Sequence, residues 1–197
     1  MKIILSTTNP SKAEQIKAIF NDPAITIQTL KESGIVGEAV EDGGTLEENA
    51  EKKASYALRM SDYKFWTMAD DTGIFIRALN GEPGIKSARW AGETATTEQI
   101  MQYCLKRLDG VQNRSAFFET VVVLLSPKGE KYVFKGQVPG HLLELPRVQP
   151  QPKMPYSSLF VPEESNKVWA EMTLEEENAI SHRGKAFRQV LAFLKSL

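Results

Sequence analysis

Met68-Ala69-Asp70-Asp71-Thr72-Gly73-Ile74-Phe75-Ile76 sets two adjacent acids between two apolar runs. Both runs read as strands, so the carboxylates stand at the edge of a core. Burying or half-burying like charges is costly unless a cation or a proton compensates. A divalent metal at that point would turn the liability into a site. The same residues also suit an ordinary Asp- and Gly-containing turn at a strand end.

Working outward, helices and strands alternate in the first half of the chain. Lys2 to Thr7 reads as a buried strand, followed by a helix that Asn9 caps and Pro10 opens. Ala13, Ile16, Ile19 and Phe20 supply that helix's apolar face. Thr26 to Leu30 is a second strand, and Gly34 to Gly44 a loop. Thr45-Leu46-Glu47-Glu48 is a capping box opening a helix to about Arg59. Phe65 to Ala69 is a strand, and Gly73 to Leu79 continues extended. A helix follows Thr96, and Ser115 to Ser126 with Lys131 to Val138 form a hairpin. Leu145 to Pro162 is proline-rich and irregular. Thr173-Leu174-Glu175-Glu176 is another capping box, and a last helix spans about Lys185 to Leu197. This order predicts an α/β chain on a mixed sheet.

Composition narrows the function classes. With 24 basic and 25 acidic residues among 197, no global field favours nucleic acid or an anionic membrane. Cys104 is the only cysteine, which excludes an intrachain disulfide and a Cys-rich zinc site and suits a reducing, cytoplasmic setting. Ala116 to Leu125, the longest apolar stretch, is broken by Glu119 and Thr120 and falls below the ~18–20 residues needed to span a bilayer. The opening Met1-Lys2-Ile3-Ile4-Leu5 is too short an apolar run for a signal peptide.

Four segments carry candidate chemistry. Ser6-Thr7-Thr8-Asn9-Pro10-Ser11-Lys12 lies where a strand hands over to a helix, and the free N–H groups and dipole there attract phosphate. Lys12 in the first turn is disfavoured by the dipole, a penalty that a bound polyphosphate reverses. A plain Asn-Pro helix start reads equally well. Glu38, Glu41 and Asp42, with Asp70 and Asp71, form a set of hard oxygen ligands of the kind Mg²⁺ takes. His141 and His182 are the only histidines, which argues against a His-based metal site. Asn80 to Gly92 is a Gly-Pro loop bearing Lys86 and Arg89. Ser181-His182-Arg183 can hydrogen-bond a base carbonyl.

Together, these segments resemble the noncanonical purine NTP pyrophosphatase family, the inosine triphosphatases or XTP/dITP diphosphatases. The matching pieces are Thr7 to Lys12, Glu41-Asp42-Gly43-Gly44-Thr45-Leu46-Glu47-Glu48-Asn49-Ala50, Ala69-Asp70-Asp71-Thr72-Gly73, Leu79 to Gly92, and Ile180-Ser181-His182-Arg183. The resemblance implies one domain over residues 1–197: an elongated, two-lobed α/β fold around a twisted mixed sheet with a central cleft. It implies Mg²⁺-dependent hydrolysis of ITP, dITP or XTP to monophosphate and pyrophosphate, usually by a homodimer. Thr7, Thr8, Asn9, Pro10, Ser11 and Lys12 would then hold phosphates. Glu41 and Asp71 would engage the metal, with Asp70 beside them. Asp71 would also be the base and Lys12 would assist catalysis. Thr72 would touch substrate, and His182 and Arg183 would read the base. Nucleic acid and membrane partners are not expected.

Two departures fall in the base-reading half. Where the family carries a Gly-Phe-Gly-Tyr-Asp-Pro segment, this chain has Lys153-Met154-Pro155-Tyr156-Ser157-Ser158, so Tyr156 remains to stack on a base and Ser157 replaces an aspartate. Glu177 stands where the family generally has lysine. A hydroxyl and a carboxylate read a base edge differently from an aspartate and an ammonium. These departures predict a weaker preference for ITP and XTP, with tolerance of amino-bearing bases. A catalytically silent nucleotide-binding protein is the alternative reading.

Overall fold

The apolar runs demand two covered faces, and the computed structural model, which describes residues 1–197, supplies them. The chain divides into two compact units. The first comprises Met1–Asp71, Thr120–Gly136 and Arg183–Leu197; the second comprises Thr72–Glu119 and Gln137–His182.

In the first unit, β1 (Lys2–Leu5) pairs in parallel with β2 (Thr26–Thr29) and with β3 (Trp66–Ile76), aligning Leu5 with Met68. Parallel neighbours need crossovers, which α1 (Pro10–Ile19) and α2 (Leu46–Met60) provide. Side chains alternate along a strand, so each strand feeds two cores. Ile3, Leu5 and Met68 pack with Ile16 of α1 and with Phe187 and Val190 of α5 (His182–Leu194). Ala69 packs on the opposite side with Ala50, Ala54 and Leu58 of α2. Strands clothed by helices on both faces read as continuous apolar runs, as these do.

In the second unit, the remainder of β3 pairs antiparallel with β4 (Pro83–Gly84). The core there gathers Cys104 of α3 (Thr97–Arg107), Phe118 of β5 (Ser115–Leu125), Leu142 of β6 (Lys131–Leu142) and Phe160 of β7 (Phe160–Pro162). β6 and β7 are antiparallel, and α4 (Leu174–Ile180) follows. Burial pushes the Cys104 thiol up to about 12. The sheet order is β2-β1-β3-β5-β6-β7, with β4 added beside β3. No helix is long and apolar enough to cross a membrane.

Three expectations change. β3 is one uninterrupted strand of 11 residues, so the acids lie within a strand and not at a strand-end turn. The extended stretch ends at Ile76 and gives way to a 3₁₀ turn over Arg77–Leu79. The last helix begins at His182, because extended Ser181 (ψ 154°) already separates it from α4. The mixed α/β sheet is as the sequence predicts.

Gly73 is required by strand approach. A Cβ there would lie 2.6 Å from the Gly84 carbonyl oxygen and 2.9 Å from its carbon, forcing β3 and β4 apart. Gly73→Ala is expected to cost about 1–3 kcal/mol, as other overpacked core positions do. Urea unfolding checks this, and an unchanged midpoint would contradict it.

Candidate active site

Alternation along β3 decides how the acids are used. Asp70 follows the face of Met68, toward α1 and α5. Asp71 follows the face of Ala69, toward α2. On the first face, Lys12 Nζ sits 3.0 Å from Asp70 Oδ2, and Arg183 Nε sits 3.6 Å from the same oxygen. Arg183 also donates to Gln15. The Asp70 side chain is only 1% exposed. Burial alone would raise its pKa, but Lys12, Arg183 and Lys53 outweigh burial and hold it well below the usual carboxylate range. Burial pushes the Lys12 ammonium below its ordinary value, with Asp70 opposing.

On the second face, Lys53 Nζ donates to Asp71 Oδ1 at 3.2 Å and to Glu41 Oε2 at 3.1 Å. Asn49 Nδ2 donates to Asp71 Oδ2 at 3.2 Å. Burial raises the Asp71 pKa, and Lys53 and Lys12 only partly offset it. Burial works against the Lys53 charge, yet Asp71, Glu41 and Asp70 prevail and raise its pKa.

The Asn9 carboxamide caps α1, accepting from Ser11 N and Lys12 N, while Thr7 Oγ1 accepts from Asn9 N. Two helix-start N–H groups therefore have a partner within the chain. Thr8 Oγ1 donates to Glu38 Oε2 at 3.1 Å, tying this turn to the acidic loop. Thr7 to Lys12, Glu41, Asp70 and Asp71 thus all lie in one unit.

The three carboxylates expected around a metal are divided, since the strand turns Asp70 away toward Lys12 and Arg183. No group of three acidic, histidine or cysteine side chains is set to hold a metal by itself. Glu41 and Asp71 do share a cation, the Lys53 ammonium. Hard oxygens converging on one positive charge fit Mg²⁺, which commonly takes one or two carboxylates and completes its shell with substrate phosphates.

Thr72, Tyr156, Ser157, Glu177 and His182 belong to the second unit. Tyr156 is 3% exposed, and its hydroxyl donates to Ser87 O at 2.9 Å. Ser157 Oγ donates to Met154 O and accepts from Gln151 N, bracing its own loop. Glu177 is buried in α4, and its carbonyl accepts from Ser181 N. The His182 ring stacks on Phe118, with centroids 4.8 Å apart. His182 and Arg183, expected as a pair, therefore serve different units: the histidine joins an aromatic cluster and the arginine an ion pair.

Sequence reasoning missed Lys53, Asn49 and Gln15. The available signal was position. Asn49 and Lys53 neighbour Ala50 and Ala54, on the helix side that buries against the sheet. Polar residues there need a partner.

The Ham1 family model matches residues 3–193. This chain belongs to the Ham1 family. Similar proteins include the dITP/XTP pyrophosphatase of Clostridium perfringens, 40% identical over all of this chain and 98% of that one. The dITP/XTP pyrophosphatase of Caldanaerobacter subterraneus subsp. tengcongensis is 39% identical over 98% of this chain and 96% of its own length. Among solved structures, the Ham1 protein of Staphylococcus aureus matches with a TM-score of 0.85 and 33% identity, covering 100% of this chain and 99% of that one. A HAM1 protein from Coxiella burnetii matches with a TM-score of 0.88 and 31% identity over 100% of both chains. The mixed α/β sheet is therefore the Ham1 fold.

In this Ham1-family chain, Asp70→Ala would strand the Lys12 and Arg183 charges. Removing one partner of a buried ion pair typically costs about 3–5 kcal/mol, the loss expected in denaturant unfolding at neutral pH. Because the folded-state pKa of Asp70 is depressed, its contribution is complete above the ordinary value of 3.8 and is lost as pH falls toward the folded-state value. The difference between wild type and variant should accordingly shrink on acidification below that point.

Proposed function

We propose that this chain hydrolyses noncanonical purine nucleoside triphosphates, ITP, dITP and XTP among them, to the monophosphate and pyrophosphate. The carrying observation is the Glu41–Lys53–Asp71 arrangement: two carboxylates gripping one cation, with Lys12 close enough to shift the Asp71 pKa. The family membership and the pyrophosphatase names of full-length relatives point the same way.

In this reading Asp71 accepts a proton from water as the water oxygen attacks the α-phosphorus. The bond from that phosphorus to the bridging oxygen breaks, and pyrophosphate leaves. A carboxylate with a raised pKa is a better proton acceptor than an ordinary aspartate. Lys12 and Lys53 place positive charge where phosphate oxygens gain negative charge. Glu41 and Asp71 are the residues that would hold Mg²⁺, which supplies charge neutralisation on phosphate when bound. The enzyme is read as a homodimer of single-domain chains from family resemblance, and as cytoplasmic from its single cysteine.

Asp71→Asn should lower turnover of ITP by about 10²–10⁴-fold, the usual range for losing a general base, with the fold retained by circular dichroism. Pyrophosphate release is the measurement, and wild-type turnover would overturn the assignment. No pyrophosphate release from ITP, dITP or XTP by the wild-type protein with Mg²⁺ would favour a silent nucleotide binder. Ser157 and Glu177, standing where the family has aspartate and lysine, predict only a weak preference for ITP over ATP, and a large ITP-to-ATP rate ratio would defeat this.

A further inference from the structure

The χ2 torsion of an aspartate is broad, so burial alone does not orient its oxygens. Asp71 needs a partner at each. Lys53 meets Oδ1, and Asn49, one helical turn earlier on α2, meets Oδ2. Asn49 is 1% exposed and has its own constraint. Its Oδ1 accepts from Gly43 N at 2.8 Å. A backbone N–H can be met only by the amide oxygen, so the orientation of the carboxamide is fixed and its NH₂ faces Asp71. Gly43 lies two residues after Glu41. The one amide thus links Asp71 to the loop that carries Glu41.

Gly43 permits this link by having no side chain. A Cβ there would lie 2.7 Å from Asn49 Oδ1 and 2.8 Å from Glu48 Cβ. The loop therefore approaches the helix start as closely as the Gly43–Asn49 hydrogen bond requires.

We propose that Asn49 is a positioning residue for hydrolysis: its amide N–H sets the rotation of the Asp71 carboxylate and registers it against the Glu41 loop. The proposal rests on the reading of Asp71 as the base.

The experiment compares Asn49→Asp, Asn49→Ala and Gly43→Ala, with Asp71→Asn as reference, by steady-state pyrophosphate release from ITP. Thermal unfolding accompanies each variant. Asn49→Asp keeps the shape and the acceptor for Gly43 N but removes the donor to Asp71. Its kcat should fall by about 10–100-fold with KM within about threefold of wild type, the pattern of a supporting residue that acts through another. Asn49→Ala, which adds no charge, should lose at least as much. Gly43→Ala should lower kcat in the same sense. The Asn49→Ala/Gly43→Ala double variant should lose less than the product of the two single losses, because both disrupt the Gly43–Asn49 contact. If Asn49→Asp unfolds, Gly43→Ala decides by the same criteria. A kcat within about twofold of wild type in folded Asn49→Asp, beside an inactive Asp71→Asn, would reduce Asn49 to a loop anchor and overturn the proposal. Independent, multiplicative losses in the double variant would also overturn it. Wild-type turnover by Asp71→Asn would instead remove the reading of Asp71 as base.

Discussion

Two carboxylates side by side in a buried strand cannot both remain ionised against each other without compensation. β3 resolves this by geometry, because consecutive residues face opposite sides of a sheet. Each acid then needs its own cation, and the chain supplies them from separate elements. Lys12 and Arg183 meet Asp70, while Lys53 meets Asp71. The placement of α1, α2 and the start of α5 around β3 follows from this requirement as much as from apolar packing.

Compensation is unequal on the two faces, and the inequality separates the roles of two identical side chains. Asp70 has two cations on one oxygen and a lowered pKa. Asp71 has one ammonium, shared with Glu41, and a raised pKa. Environments that push a pair of acids apart are how one protein obtains a fixed charge and a proton acceptor from the same residue type. In the proposed reading, Asp70 takes the first task and Asp71 the second.

Much of the fold was legible because its signals are local. The capping threonines Thr45, Thr96 and Thr173 mark helix starts that the structure reproduces, each accepting from the N–H three residues on. The Asp70 to Gly73 stretch was harder to read. Its composition is that of a turn, and only long-range pairing with Lys12, Lys53 and Arg183 makes a continuous strand tolerable there. The site was legible to the same degree. Residue type offers Lys12 and five acids, Glu38, Glu41, Asp42, Asp70 and Asp71, and only the family resemblance singles out Glu41 and Asp71 among them. Asn49 and Lys53 carry only a positional signal, their place beside Ala50 and Ala54 on the apolar side of α2, where a polar side chain needs a partner. The sequence shows Ser157 only as a hydroxyl in place of an aspartate; that it also braces the Gln151–Ser157 turn depends on the folded loop.

The solitary thiol of Cys104 lies in the middle of the second unit's core, fully enclosed and held protonated by its surroundings. A thiol in that state is a poor nucleophile until the packing around α3 gives way. Maleimide labelling of the native protein would therefore proceed at the pace of that opening. The chain carries, at no cost in engineering, a chemical clock for the breathing of one half of its structure.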